Sequence, residues 1–150
     1  MDNSKDINIL NDLLHITNDR IRNYSAIEQN VRQIHSNLKE QYDQKLRQSY
    51  KMKDELINLI HNLGGKPEDH STVFGSIHQS WIEFKNNLKV MSEDDGLNEV
   101  ISGEEAAISA YQKALDRGDL SPEIASIILD YLHHLKASYK NLDDLNSEIN

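Results

Sequence analysis

Cysteine is absent from the 150-residue sequence, and proline and glycine are scarce. Without cysteine the chain cannot form disulfides, iron-sulfur clusters, cysteine-ligated zinc sites or a thiolate nucleophile. The two prolines, Pro67 and Pro122, and the six glycines leave few points at which a helix is interrupted. These absences predict long helices that are held together by side-chain packing and not by cross-links.

The sequence also lacks a long apolar run and an excess of positive charge. No segment approaches the roughly 20 consecutive apolar residues of a membrane span, and the first residues, MDNSKD, lack the basic-then-apolar order of a signal peptide. The formal net charge of -9 would repel the phosphates of a nucleic acid. With 37% hydrophobic and 27% charged residues, the composition is that of a folded domain. We therefore expect one cytoplasmic domain over residues 1–150 that binds neither nucleic acid nor a membrane.

The sequence does contain apolar residues at alternating spacings of three and four, which is the a/d pattern of helices in a bundle. The segment 63–67, Leu-Gly-Gly-Lys-Pro, supplies a helix end, and so does Gly118. Ser-Pro-Glu at 121–123 is typical of a helix start. We expect the chain from Asn146 onward to be frayed. The pattern predicts four long helices, over about residues 5–34, 37–63, 96–116 and 122–145.

About thirty residues separate the second and third of these helices, whereas an ordinary connection between helices has roughly 2 to 8 residues. Val73, Ile77, Trp81, Phe84 and Leu88 recur at spacings near four, which predicts a crossover helix over residues 72–90. Short connections make neighbouring helices antiparallel, and the long crossover lets the third run parallel to the second. The predicted fold is all-α: a ferritin-like four-helix bundle with a long helix-containing crossover between helices 2 and 3.

Two glutamates occupy a/d positions where an aliphatic residue would be expected, Glu28 on the first helix and Glu104 on the third. A buried carboxylate is costly unless it is paired, hydrogen-bonded or bound to a metal. Counted from the turns, His134 on the fourth helix lies at a similar height in the bundle. Glu28, Glu104 and His134 are therefore the candidate ligands of a metal site that would hold iron or manganese.

The ligand set of a two-metal site is incomplete in this sequence. Such a site takes a Glu from each of two helices and Glu-x-x-His from each of the other two, and the chain contains no Glu-x-x-His. Asp130 and His133 have a similar spacing but face away from the predicted interior. In the alternative interpretation both carboxylates are structural, hydrogen-bonded to Tyr24, Tyr111, Tyr131 or buried water. The bundle then requires no cofactor, because its buried apolar residues stabilise it.

Three local motifs stand in a familiar order and spacing: L-G-G-x-P at 63–67, H-x-x-W-x-x-x-K at 78–85 and G-E-[DE]-x-A-x-x-x-Y at 103–111. Together with Leu-Asn-Asp-Leu-Leu at 10–14, Tyr24 and Glu28, they resemble an uncharacterised bacterial family, a domain of unknown function grouped with the ferritin-like four-helix-bundle proteins. The resemblance extends from about Ile9 to Leu145. It implies a ferritin-like bundle, a bacterial cytoplasmic setting and a stress-related role, and it implies no established activity.

The chain departs from this family at positions from which a site in the bundle could draw ligands. Gln48 and Ser49 stand where the family typically has a Glu-Arg pair, and Tyr139 stands where it has a histidine. Glu28 and Glu104 match the family. The resemblance therefore implies that this member has lost part of any metal shell. In the crossover, His78 and Trp81 are expected to pack against the bundle.

The sequence favours a non-catalytic protein, associated with stress or with partner binding, that forms a homodimer. Four isoleucines off the a/d positions, Ile27, Ile34, Ile57 and Ile127, either complete the edges of the core or form the dimer face. The alternative function is a redox or metal-storage protein with a partly degenerate site. The substitution Glu104→Leu distinguishes these two functions. If Glu104 is only structural, the variant is expected to remain stable, and if Glu104 is a ligand, the variant is expected to lose metal uptake.

Overall fold

The computed structural model describes residues 3–34, 39–68, 75–89 and 96–149. Within these ranges all regular structure is helical, and no strand occurs in them. Among the described residues, no helix combines the length and the apolar character that crossing a membrane requires. The helices are α1 Ser4–Ile34, α2 Lys39–Asn62, α3 Ser76–Lys89, α4 Gly96–Asp116 and α5 Pro122–Ile149.

The bounds of the helices follow the periodicity and the breakers of the sequence. The largest differences from the predicted ranges are the start of α3, at residue 76 and not 72, and the end of α5, at residue 149 and not 145. Residues 72–74 lie outside the described ranges, and residue 75 is not helical. The helix α5 continues four residues beyond its predicted end, to Ile149, and the expectation that the chain is frayed from Asn146 onward stays a prediction.

Glycines end α2 and α4, as the sequence predicts. Gly64 and Gly118 have φ angles of 83° and 70°, a left-handed conformation that glycine adopts without a steric penalty. At the end of α2, Gly64 N donates to the carbonyl oxygen of His61 and Gly65 N donates to that of Ile60, each at 2.9 Å. This pair of bonds is a Schellman motif, which satisfies carbonyl groups that the end of the helix leaves free.

Two contacts, one just after the end of α2 and one in its middle, show how it lies on α1. Near the start of α1, Asn3 Nδ2 donates to the carbonyl oxygen of Leu63 at 3.3 Å. Further along α1, Arg20 Nη1 lies 3.9 Å from Met52 Sδ. As the residue number rises along α1 it falls along α2, so the two helices are antiparallel.

The contacts of α1 with α4 show the same reversal. Arg20 is paired with Glu104, and Thr17, about one turn earlier on α1, interacts with Tyr111, about two turns later on α4. α1 and α4 are therefore antiparallel, and α2 and α4 run in the same direction. The helix α3 packs against both α1 and α4, and its Ser80 hydroxyl lies 2.7 Å from the ammonium group of Lys113 on α4.

The core is centred on the first half of α1. Residues 9–18 are buried all round, because α1 packs against α2, α3 and α4. The a/d pattern predicts a single interior strip and therefore underestimates this burial.

Ile57 and Ile127 are partly buried and pack against the core, so they complete its edges, whereas the side chains of Ile27 and Ile34 lie outside the described residues. Fully buried side chains on the other helices include Leu56, Ile60, Ile77, Tyr111, Ile128 and Leu132.

Acidic side chains on α1 bind the starts of two other helices. The carboxylate of Asp12 accepts hydrogen bonds from the backbone N–H groups of Gly75 at 3.0 Å and Ile77 at 3.1 Å, so Asp12 caps α3. Residue 75 must be small here, because a Cβ atom on Gly75 would overlap the Asp12 carboxylate. Asp6 accepts a hydrogen bond from the N–H of Ser121 at 2.9 Å, just before α5 begins.

The turn that follows α2 is also held by α1. Asn11 Nδ2 donates to the carbonyl oxygen of Lys66 at 3.2 Å, and Asn11 Oδ1 accepts from the N–H of Glu68 at 2.9 Å. Gly65 lies so close to Ile7 that a Cβ atom would be 2.8 Å from Ile7 Cγ2. The polar and apolar side chains of α1 thus fix the segments that connect the other helices.

Candidate functional site

Glu104, one of the predicted metal ligands, is bound to a buried arginine. Arg20 Nε lies 2.6 Å from Glu104 Oε1 and Arg20 Nη2 lies 2.9 Å from Glu104 Oε2, so both carboxylate oxygens accept hydrogen bonds. The side chains of Arg20 and Glu104 are 5% and 2% exposed. A bidentate pair of this kind provides a buried carboxylate with both charge compensation and hydrogen bonds, so Glu104 needs no metal to be stable inside the bundle.

The Glu104 carboxylate keeps the buried guanidinium of Arg20 charged. Burial alone would lower the pKa of Arg20, but the Glu104 carboxylate outweighs this effect and the pKa is raised above its usual value. Burial raises the pKa of the Tyr24 and Tyr111 hydroxyls beside the pair, so both stay protonated. The Tyr111 hydroxyl donates to Met52 Sδ at 3.3 Å.

A cavity of about 340 Å³ lies next to the ion pair, and we call it the α2–α5 cavity. Its lining comes from Arg20 on α1, from segment 45–55 of α2 and from segment 130–138 of α5. Lys45 Nζ donates to Ser138 Oγ at 2.6 Å, and the Tyr131 hydroxyl donates to Glu55 Oε2 at 2.5 Å. Since residue 45 meets 138 and residue 55 meets 131, α2 and α5 are antiparallel and are linked near both ends of the cavity.

The α2–α5 cavity has a basic end and an acidic end. At the basic end, Lys45 is 6% exposed, and burial lowers the pKa of its ammonium group. At the acidic end, Glu55 and Asp130 line the wall together with Tyr131. Burial, and then the hydrogen bond to Glu55, raise the pKa of Tyr131. The cavity therefore offers different chemistry to the two ends of an elongated molecule.

Two of the positions at which the chain departs from the resembled family line this cavity. Gln48 and Ser49 are lining residues, and the Ser49 hydroxyl donates to the carbonyl oxygen of Lys45 at 2.9 Å. The third departure, Tyr139, lies on α5 and donates a hydrogen bond to the Glu105 carboxylate on α4. Gln48 and Ser49 thus lie beside a cavity and neither is a carboxylate, and that a site in the bundle draws ligands from these positions stays a prediction.

The three predicted metal ligands lie in different surroundings. Glu28 belongs to α1, but its side chain lies outside the described residues. Glu104 is buried in the ion pair, and His134 is exposed on α5, where it lines the α2–α5 cavity. In the part of the chain whose side chains are described, no group of three or more His, Asp or Glu residues could hold a metal ion. Metal binding by Glu28, Glu104 and His134 stays a prediction.

In the alternative interpretation Glu104 is a structural carboxylate, and the structure gives it a different partner from the predicted ones. It names a tyrosine or buried water as the hydrogen-bond partner of Glu104; the described partner is Arg20, with Tyr24 and Tyr111 beside the pair, and the Tyr131 hydroxyl binds Glu55. Asp130 and His133 are exposed, as predicted, although Asp130 also lines the cavity. A cation is the better partner for Glu104, because a neutral hydroxyl would leave its charge uncompensated inside the bundle.

The partnership of Arg20 with Glu104 and the role of Lys45 are not evident from the spacing of residues in the sequence. Arg20 lies three residues after Thr17 and four before Tyr24, both at a/d positions, so helical spacing places it on the interior side of α1. Lys45 itself stands at an a/d position of α2. The sequence does indicate a cation at an interior position of each of these two helices. The partner of that cation lies on another helix, so the spacing of residues along one helix cannot identify it.

A second buried polar cluster lies between α1 and α3. The ring of His78 stacks on His15 with 5.4 Å between centroids, and on Trp81 with 5.8 Å between centroids. His78 Nε2 lies 2.8 Å from Asp19 Oδ2, and burial lowers the pKa of His78. The expectation that His78 and Trp81 pack against the bundle is confirmed, and Trp81 is 2% exposed. The side chain of Lys85, the last residue of that motif, lies outside the described residues.

Comparison with protein families gives a match over most of the chain. The model of a domain of unknown function (DUF2383) matches residues 5–117, which include the ion pair, the histidine stack and the α2 side of the cavity. Neither the comparison with curated proteins nor the comparison with solved structures gave a match.

Proposed function

The chain belongs to the DUF2383 family, a domain of unknown function, and from this premise we propose that it is a non-catalytic, ferritin-like helical bundle that acts by binding a partner. In this proposal the interior carries an ion pair where a carboxylate-bridged metal centre would otherwise lie. The proposal includes a bacterial cytoplasmic setting and a stress-associated or interaction role, which the family resemblance implies. It excludes a nucleic acid as the partner because of the net charge of -9.

The observation that carries the proposal is the bidentate pairing of Arg20 with Glu104. Both oxygens of the carboxylate accept hydrogen bonds from the guanidinium, at 2.6 and 2.9 Å. A divalent cation bound to Glu104 would have to share these oxygens with a positive charge that the fold buries, and the like charges would repel each other. In this arrangement Glu104 is therefore poorly suited to act as a metal ligand.

The directions of the helices support the ferritin-like part of the proposal. α1 is antiparallel to both α2 and α4, and α2 is antiparallel to α5, as the pairs Arg20–Glu104 and Lys45–Ser138 indicate together with their neighbours. Two helices in one direction and two in the other, with a long connection in the middle of the chain, are the arrangement of ferritin-like bundles. The short helix α3 lies within that connection.

The test of the non-metal proposal is elemental analysis of the untagged chain, purified without chelator, before and after exposure to ferrous iron and to manganese. We expect metal well below one equivalent in the wild type and in Glu104→Gln. The control is Glu83→Gln, which removes an exposed carboxylate on α3. Near-stoichiometric metal that Glu104→Gln loses and Glu83→Gln retains would overturn the proposal and establish the metal-binding alternative.

The homodimer belongs to the same proposal, supported by two large apolar side chains on the described surface. Tyr50 on α2 is 49% exposed and Leu129 on α5 is 44% exposed, so these two side chains are the ones that a dimer contact could cover. Sedimentation velocity of the wild type, Leu129→Lys and the exposed-face control Lys136→Glu tests it. A dimer that Leu129→Lys weakens is expected, and a strict monomer at high micromolar concentration would contradict the self-association.

A further inference from the structure

The α2–α5 cavity has the size of a small-molecule site. Its volume of about 340 Å³ lies at the lower end of the roughly 300–1,000 Å³ that ligand pockets occupy. It lies between helices that are linked by hydrogen bonds from Lys45 to Ser138 and from Tyr131 to Glu55. Pockets between the helices of a bundle are a common place for ligands, because rigid elements hold their lining side chains.

The basic end of the cavity carries a buried cation that has hydrogen-bonding capacity to spare. An ammonium group has three N–H donors, and Lys45 Nζ contacts the hydroxyl oxygen of Ser138 at 2.6 Å and its carbonyl oxygen at 3.3 Å. Among the described residues, no carboxylate forms an ion pair with Lys45. One donor and the positive charge of Lys45 are therefore available to a molecule inside the cavity.

The Arg20–Glu104 ion pair lies beside the same end of the cavity, which Arg20 helps to line. Arg20 directs Nε and Nη2 to Glu104, while its Nη1 lies on the Met52 side. Glu104 favours the protonated form of Lys45, and Arg20 acts in the opposite sense to a smaller extent. The charge of Arg20 is compensated within the pair, so Lys45 is the cation to which an anion in the cavity would bind.

The rest of the cavity determines which kind of anion fits. Met52 and Leu135 lie between the basic and acidic ends along their helices and offer apolar surface. Lys51 on α2 also lines the cavity, but Glu55 and Asp130 at the acidic end outnumber this cation and would repel a second negative charge. The lining therefore favours one negative charge joined to an apolar body over a compact dianion such as phosphate.

We propose that the α2–α5 cavity binds a small organic monocarboxylate, with its carboxylate on Lys45 and its apolar body against Met52 and Leu135. The proposal goes beyond the role of the ion pair, because it depends on Lys45 and the cavity and not on whether Glu104 binds a metal. It assigns a chemical class of ligand to the chain.

The experiment is isothermal titration calorimetry of the full chain with hexanoate and benzoate. Hexanol and benzyl alcohol serve as neutral probes of similar shape, and inorganic phosphate serves as the compact anion. We expect saturable binding of at least one carboxylate, at least about 10-fold weaker binding of the corresponding alcohol, and weaker binding of phosphate, because a hydrogen bond to a charged group is lost or a second charge is repelled. Equal affinity for acid and alcohol, tighter binding of phosphate, or no saturable binding of either carboxylate would overturn the proposal.

The variants assign the binding to this cavity. Lys45→Met is expected to weaken carboxylate binding at least about 10-fold, whereas Lys136→Met, which removes an exposed cation on α5 outside the cavity lining, should leave it unchanged. Leu135→Trp fills the cavity without changing its charge and is expected to abolish binding. Circular dichroism and thermal unfolding check that each variant is folded. Unchanged binding in folded Lys45→Met or in folded Leu135→Trp would place the ligand elsewhere and overturn the assignment.

Discussion

Arg20 and Glu104 are separated by 84 positions in the sequence, and their side chains share two hydrogen bonds in the interior of the protein. This pairing reverses the sequence-based expectation for Glu104→Leu. A structural carboxylate without a charged partner could be replaced at little cost, but removing Glu104 leaves the Arg20 charge buried and uncompensated.

We predict that Glu104→Leu lowers the free energy of unfolding by about 3–5 kcal/mol, the usual cost of breaking a buried ion pair. The double variant Arg20→Met with Glu104→Leu removes both charges and is expected to lie near the wild type. Urea unfolding followed by circular dichroism measures both. A Glu104→Leu protein as stable as the wild type would contradict the prediction, and so would a double variant as unstable as the single one.

The second prediction concerns the cap that α1 provides for α3. Asp12→Ala leaves the N–H groups of Gly75 and Ile77 without their acceptor, and is expected to cost about 1–2 kcal/mol, as for the loss of an N-cap. Asp54→Ala, which removes an exposed carboxylate on α2, is the control and should change little. Chemical denaturation measures the stability of each variant.

Gly75→Ala provides an independent check of the same contact. The added Cβ would overlap the Asp12 carboxylate, so the substitution is expected to destabilise the wild-type protein. In an Asp12→Ala background the overlap is absent and the cost should be much smaller. Additive costs in the double variant would show that Asp12 and Gly75 are not coupled.

The third prediction is a pH dependence that comes from His78. Because burial lowers its pKa in the folded protein below the ordinary value of 6.5, the unfolded chain binds more protons between these two values. The contribution of His78 to stability is therefore present above pH 6.5 and is lost as the pH falls below it.

His78→Phe tests this pH dependence, because phenylalanine can stack between His15 and Trp81 but does not titrate. The free energy of unfolding is measured at about pH 7.5 and about pH 5.5, on either side of the ordinary histidine pKa. The difference between these two free energies should be smaller in His78→Phe than in the wild type. An equal loss of stability on acidification in both proteins would assign the pH dependence to other groups, such as the carboxylates.

The fourth prediction separates stability from binding at Lys45. Burial lowers the pKa of this residue, which means that its charge is held in the fold at a cost. Lys45→Met is therefore expected to be at least as stable as the wild type at neutral pH. Between the lowered pKa and the ordinary value of 10.5, the unfolded chain binds more protons, so the stability of the wild type relative to the variant should rise with pH in that interval.

Thermal unfolding of both proteins from neutral to alkaline pH measures this relation. Lys136→Met is the matched control, because Lys136 is exposed on α5 and its removal should not alter the pH dependence. A Lys45→Met protein clearly less stable than the wild type at neutral pH would mean that the contact with Ser138 contributes more than burial of the charge costs.

Much of the helical organisation can be predicted from the sequence, because it depends on neighbouring residues. Gly64, Gly118 and Pro122 mark helix ends through their own backbone preferences, and the spacing of apolar residues indicates which side of a helix is buried. The extra burial of α1 cannot be predicted in this way, because it depends on how many helices pack against α1.

The site is less predictable than the helices. Spacing identifies Glu104 as an interior carboxylate, but not Arg20 as its partner, because the two are brought together only by the packing of α1 on α4. The cavity beside Lys45 is likewise a property of three helices together, and no single segment of the sequence encodes it.

The contacts of α1 have a consequence for the order in which the protein can be completed on the ribosome. α1 emerges before the other helices, but its side chains bind residues made later: Asn11 binds Lys66, Arg20 binds Glu104, and Asp6 binds Ser121. Until α4 has been synthesised, the most deeply buried helix lacks Glu104 as the partner of Arg20 and part of the surface that covers its apolar side chains. The nascent chain is therefore expected to depend on chaperones or on rapid translation, and a pause late in synthesis would expose α1 to aggregation.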